Sequence, residues 1–246
     1  MSATTASEPL PSLALLAGGL ATRLRPITNI VPKSMVVVAG EPFIAHLLRL
    51  LRRESITKIV ICTGHLGDQI KDFVGDGARF GCRVYYSADG DRLLGTGGAL
   101  RQALPLLGEN FFVMYGDSYL NIAFRPVYET FLRSGLPALM TVLRNADRWD
   151  ASNVEFADSI VRCYDKVNRT PAMRYIDYGL SVLTASTIAR WPTSTPFDLA
   201  DLYRDLAERR QLVGYEVYER FYEIGSPAGL AETAAHLSTS PQVRNK

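Results

Sequence analysis

The apolar run Leu13-Ala14-Leu15-Leu16-Ala17 passes without a polar residue into Gly18-Gly19. A run this short and continuous fits a strand buried on both faces, and such strands belong to parallel sheets covered by helices. The glycines then open a loop at the strand's carboxyl end, the edge where open α/β sheets bind ligands. The next hundred residues agree. From Pro42 to Arg53, Ile44, Leu47, Leu48 and Leu51 share one helical face and Arg49, Arg52 and Arg53 the other. Lys58–Thr63 reads as a second buried strand, and Leu66–Val74 as a short helix closed by Gly75-Asp76-Gly77. Arg83–Ser87 is a strand, Thr96–Leu104 a helix, and Phe111–Tyr115 a strand ending at Gly116-Asp117. This alternation predicts a Rossmann-like α/β fold: a mixed, mainly parallel sheet flanked by helices.

After Pro126 the alternation loosens. Ala138–Leu143, Asn153–Phe156, Ile160–Asp165 and Tyr175–Leu183 read as strands with short connections, which admits antiparallel pairing and a smaller β region. Asp198–Arg210 is an amphipathic helix with Leu199, Leu202, Tyr203 and Leu206 inward. Leu212–Val217 and Phe221–Ile224 are late strands. Ser226-Pro227 then looks like an N-cap and first helical position, leading a last helix. Without a repeat or a low-complexity linker, residues 13–237 read as one domain between flexible tails, 1–12 and 238–246.

Composition removes several classes. Lys and Arg number 27 against 25 Asp and Glu, a net charge of +2, too balanced for a dedicated nucleic-acid binder. Cys62, Cys82 and Cys163 are odd in number and lack metal-ligand spacing, which favours a reducing, cytoplasmic setting. The apolar runs are strand-length, so no membrane span is expected. Met1–Ser12 lacks the charged start and apolar stretch of a secretory signal. His46, His65 and His236 pair with no serine or cysteine nucleophile, which argues against a hydrolase triad. Trp149 and Trp191 read as packing residues. Monomer and homodimer both stay open.

The chemistry concentrates between Leu16 and Met35. Gly18 and Gly19 let backbone N–H groups approach a phosphate, and Arg23, Arg25 and Lys33 bring positive charge nearby. Neither the Walker spacing nor the dinucleotide glycine pattern occurs, which lowers the case for a P-loop NTPase or a nicotinamide dehydrogenase. The stretch Gly18-Gly19-Leu20-Ala21-Thr22-Arg23-Leu24-Arg25-Pro26-Ile27-Thr28, followed by Pro32-Lys33-Ser34-Met35 and Gly40-Glu41-Pro42, instead resembles the signature of the sugar-1-phosphate nucleotidyltransferases. Ala21 stands where that family has glycine, and Ser34 where it has proline.

Five later segments resemble the same family. Gly95-Thr96-Gly97-Gly98-Ala99 is similar to its second glycine loop, though by chemistry alone it is equally a helix start with a close neighbour. Asp117 after Tyr115-Gly116 suits a divalent metal, or a turn cap. Asp165-Lys166 matches a Glu-Lys pair, and Tyr175–Gly179 a sugar-side strand. In Phe221–Pro227, Glu223 stands where the family has Asp.

The resemblance, nearest to short bacterial members acting on heptose 1-phosphate or N-acetylmuramate 1-phosphate, implies the nucleotide-diphospho-sugar transferase fold. It implies a reaction of an NTP with a sugar 1-phosphate giving an NDP-sugar and pyrophosphate, with Mg²⁺ as cofactor. By the same resemblance, Arg23 and Lys33 are catalytic. Leu16, Ala17, Gly18, Gly19, Ala21, Thr22, Thr96 and Gly97 bind the nucleotide. Lys166, Asp177 and Gly179 bind the sugar phosphate, and Asp117 and Glu223 hold the metal. A catalytically weak module that binds nucleotide or NDP-sugar is the alternative reading, prompted by Ala21 and Glu223.

Overall fold

The architecture comes from a computed structural model, which describes residues 8–19, 22–90, 92–145, 147–149, 151–193 and 195–239. The first half runs β1 (Leu13–Leu16), a small hairpin of β2 (Val37–Val38) and β3 (Glu41–Pro42), α1 (Phe43–Arg53), β4 (Lys58–Thr63), α2 (Gly67–Val74), β5 (Arg83–Ala88), α3 (Gly95–Ala103), β6 (Asn110–Tyr115), β7 (Ser118–Tyr119) and α4 (Phe124–Ser134). The second adds β8 (Ala138–Arg144), β9 (Val154–Ala157), β10 (Ile160–Tyr164), β11 (Tyr175–Thr184), α5 (Ala185–Ala189), α6 (Leu199–Glu208), β12 (Leu212–Val217), β13 (Tyr222–Glu223) and α7 (Pro227–Thr239).

One sheet joins both halves, in the order β5-β4-β1-β6-β11-β8-β12-β10-β9. The strands from β5 to β6 are parallel, and β11 enters antiparallel to both β6 and β8. The four residues of β1 are all buried because both faces are covered. Leu13 and Leu15 face a core with Ile44, Leu47 and Leu48 of α1 and Phe124 and Val127 of α4. Ala14 and Leu16 face another, with Leu100 of α3 and Leu199, Leu202 and Leu206 of α6. From β1 the chain steps outward to β4 and β5, then returns to β6 on β1's other side. Strand order therefore reverses at β1, the position in such a sheet where the crevice at the strands' carboxyl ends is found.

Several boundaries differ from the sequence reading. Helix α4 was not foreseen. Pro126 is the third helical residue, where its missing N–H has no intrahelical partner to lose. The late strand expected over Phe221–Ile224 is only Tyr222–Glu223, paired with Ser118–Tyr119 outside the main sheet. The expected tails are shorter than drawn. Leu10 is buried and Phe112 N donates to Ser12 O at 2.9 Å, while α7 continues through Thr239 with Leu237 buried.

Candidate active site

Three strand-end loops meet backbone to backbone at the crevice. Gly116 N donates to Leu16 O and Ala17 N to Cys62 O, both at 2.9 Å. A Cβ on Gly64 stands 2.6 Å from Gly18 O, and one on Gly116 stands 2.9 Å from Leu16 O. Gly18 and Gly64 thus let the loops after β1 and β4 touch. A Cβ on Gly19, by contrast, meets nothing within 4 Å, so this glycine leaves open backbone toward the crevice. Ala21 lies outside the described residues.

A cavity of about 310 Å³ lies under these loops, lined by Leu16, Ala17, Gly18, Gly19 and Lys33 on one side and Asp89, Leu93, Gly95 and Thr96 on the other. The second glycine loop divides its duties differently from the sequence reading. Thr96 Oγ1 donates to Asp198 Oδ1 at 3.1 Å and accepts from Leu199 N at 2.8 Å, so its side chain ties the loop to α6. Gly97 turns away from the cavity. Its N donates to Phe197 O at 3.0 Å, and a Cβ there stands 2.2 Å from the Phe197 ring. Gly95, at φ +73°, lines the cavity instead. Thr22 is exposed in a short 3₁₀ turn and does not line either of the cavities described here.

Lys33 and Asp117 converge at the deep end. Lys33 Nζ lies 2.6 Å from Asp117 Oδ2, and Ser118 Oγ donates to Asp117 Oδ1 at 3.1 Å. The short ladder of β7 and β13 brings Glu223 alongside, with Ile224 N donating to Asp117 O at 2.9 Å. Glu223 folds back over the start of α7. Gly225 N donates to its Oε2 and Ser226 Oγ to its Oε1, the latter at 3.0 Å. Gly225 and Gly229 have no room for a Cβ because the Glu223 carboxylate occupies it.

A second cavity of about 470 Å³ shares Tyr115 and Asp117 with the first and is lined by Arg23, Lys166, Asp177, Gly179, Glu223, Arg148, Trp149 and Arg220. Lys166 Nζ stands about 6 Å from the centroids of the Tyr115 and Tyr164 rings. The preceding Asp165 is buried and builds the turn that presents it: Val167 N and Asn168 N donate to Oδ1 at 2.7 and 2.9 Å. Those N–H groups hold the Asp165 carboxyl below the ordinary carboxylate range. Asp177 is shifted the opposite way. Burial raises it, and the Lys166 charge and the Gly179 N–H work against that rise. Gly179 N donates to Asp177 Oδ1 at 3.0 Å at an irregularity in β11, where Gly179 takes φ +103°.

Asp89, Leu93, Tyr115, Arg148 and Arg220 escaped the sequence reading. A signal existed for two of them. Asp89 directly follows β5 and Tyr115 closes β6, so the rule that strand carboxyl ends carry the site covers both. Trp149, read as a packing residue, is 42% exposed in the second cavity.

The sequence model of the nucleotidyl transferase family matches residues 14–231. The N-acetylmuramate alpha-1-phosphate uridylyltransferase of Neisseria meningitidis is 41% identical over 124 residues, covering 50% of this chain and 53% of that protein. The matched region thus spans about half of that relative's length. The D-glycero-alpha-D-manno-heptose 1-phosphate guanylyltransferase of Campylobacter jejuni is 23% identical over 87% of this chain and 94% of its own. Among solved structures, HddC from Yersinia pseudotuberculosis complexed with GMP-PN superposes with a TM-score of 0.78 at 22% identity, covering 93% of this chain and 100% of that one.

Proposed function

This chain belongs to the nucleotidyl transferase family, and we propose that it is a sugar-1-phosphate nucleotidyltransferase, joining an NTP to a sugar 1-phosphate to give an NDP-sugar and pyrophosphate. The observation that carries the reading is the pair of cavities sharing Tyr115 and Asp117, one lined by glycine backbone and the other by Lys166 and Arg23. Two ligands that must react with each other need such adjoining pockets. The relatives named for uridylyl and guanylyl transfer to sugar 1-phosphates support it.

In this reading the α-phosphorus of the NTP lies at the shared wall. A sugar phosphate oxygen, already anionic, attacks in line, and pyrophosphate leaves, so no strong general base is needed. The work left for the protein is positioning and charge neutralisation. Lys33 neutralises the α-phosphate and Lys166 holds the attacking phosphate; Arg23, expected at the departing phosphates, lines the second cavity with Lys166 and adds positive charge for the attacking phosphate there. Asp177 and Gly179 border the sugar.

Asp117 and Glu223 have the donor chemistry for Mg²⁺, which takes one or two carboxylates and fills its shell with phosphate and water oxygens. They line one cavity, and among the described residues no cluster of three metal-ligating side chains competes with them. When bound, the ion supplies charge neutralisation across the phosphates. A reducing, cytoplasmic setting belongs to this reading, given three cysteines without disulfides.

The alternative, a weakly active binding module, is favoured by one feature: both Glu223 oxygens are engaged by Gly225 and Ser226. A pyrophosphate-release assay over a panel of NTPs and sugar 1-phosphates separates the two. The transferase reading expects release that requires both substrates; nucleotide binding without release from any pair supports the module.

A further inference from the structure

The first cavity is polar at its two ends and apolar between them. Lys33 and Asp117 mark the end shared with the second cavity. Asp89 marks the other, with Leu16, Cys62, Leu93 and Ala99 in between. Asp89 follows β5 directly, and its N donates to Thr63 O at 2.9 Å, which fixes it against the end of β4. Three strand spacings separate β5 from β6 in the sheet. At about 4.8 Å each, that is roughly 14 Å, room for a nucleotide with its phosphates at Lys33 and its base at Asp89.

Asp89 is a carboxylate short of donors. Its Oδ2 accepts from Leu94 N at 3.2 Å, and among the described residues no Lys, Arg or His pairs with it. Half-burial raises its pKa, and the Leu94 N–H offsets only part of that rise. A desolvated carboxylate with open acceptor sites is stabilised by a ligand that brings donors to it.

The bases differ sharply in what they bring. Guanine presents N1–H and its N2 amino group side by side, two parallel donors spaced for the two oxygens of a carboxylate. Uracil and thymine flank their single N3–H with carbonyl oxygens, which a carboxylate repels. Adenine and cytosine set one amino group beside an acceptor nitrogen. We infer that this cavity selects guanine nucleotides, with Asp89 receiving the guanine N1–H and N2 amino donors. The inference rests on the nucleotidyl-transfer reading above for its assumption that an NTP fills the cavity.

Calorimetric titration of the full chain with GTP, inosine triphosphate, UTP and dTTP in the presence of Mg²⁺ tests this without knowledge of the sugar. Inosine triphosphate differs from GTP only by lacking the N2 amino group. GTP is expected to bind at least tenfold more tightly than each of the others. In Asp89→Ala and Asp89→Asn the ratio of GTP to inosine triphosphate affinity should fall toward one. If a variant does not fold, the comparison on the unaltered chain decides alone. UTP or dTTP binding as tightly as GTP, inosine triphosphate matching GTP, or an unchanged ratio in a folded Asp89 variant overturns the guanine assignment and leaves nucleotidyl transfer standing. Binding of no nucleotide overturns the transfer reading, and the guanine assignment with it.

Discussion

Lys33 Nζ rests 2.6 Å from Asp117 Oδ2, an ion pair across 84 residues of sequence at the point where the two cavities meet. Each partner is partly solvated, with side chains 16% and 34% exposed, so the pair adds about 1 kcal/mol or less to stability. Its interest lies in chemistry: an ammonium held against a carboxylate until phosphate oxygens arrive. Lys33→Ala should lower kcat/KM at least a hundredfold while the unfolding temperature moves by only a few degrees. Activity within threefold of the unaltered chain contradicts the role given to Lys33.

Gly229→Ala tests whether Glu223 is set for a cation. A Cβ at this position, in the first turn of α7, meets Glu223 Oε1 and stands 2.7 Å from the Glu223 backbone oxygen. The Glu223 carboxylate and the backbone that carries it should both be displaced. The Mg²⁺ concentration needed for half-maximal activity is expected to rise severalfold, with a loss of stability of about 1–3 kcal/mol from the overpacking. An unchanged Mg²⁺ dependence argues against Glu223 as a ligand.

Asp165 carries a pH prediction. Its folded-state pKa is depressed by the Asn168 and Val167 N–H groups, so it stabilises the fold above the ordinary carboxylate range. That contribution is lost as pH falls through the depressed value. Asp165→Asn should cost about 1 kcal/mol at neutral pH, because the amide oxygen still accepts both N–H groups and only the charge-assisted part of the bonds is lost. It should also flatten the fall in stability on acidification, followed by chemical denaturation from pH 7 downward. Because the turn presents Lys166, KM for the sugar phosphate should rise more than KM for the nucleotide. Identical acid profiles for the two proteins contradict this account.

Gly97 and Phe197 form a steric pair that a double-mutant cycle can read. Gly97→Ala drives a methyl group into the Phe197 ring and should destabilise by about 1–3 kcal/mol. Adding Phe197→Leu should recover part of that loss, a coupling visible in denaturant midpoints. Simple additivity indicates that Gly97 does not pack on Phe197.

Much of this was legible in the chain. The LALLA run, the KIVICT strand and the FFVMY strand are continuously apolar because both sheet faces are covered, and they located β1, β4 and β6 within a residue or two. Asp117 could be singled out because it follows Gly116 at the carboxyl end of an apolar strand, whereas Lys33 and Glu223 stood out only through the family resemblance. The division of labour between neighbouring glycines was not legible. Gly18 serves the contact with Gly64, and Gly97 the contact with Phe197, partners 46 and 100 residues away that spacing cannot supply. Asp89 was hidden because the strand before it is half-exposed at the sheet edge, so its end drew no notice.

The most direct measurement follows the α-phosphorus. With NTP labelled at that atom, a sugar 1-phosphate and Mg²⁺, the account predicts that all transferred label appears in the NDP-sugar, with one unlabelled pyrophosphate released per product. Label recovered only as free nucleoside mono- or diphosphate, with no sugar-linked product from any sugar 1-phosphate tried, contradicts it.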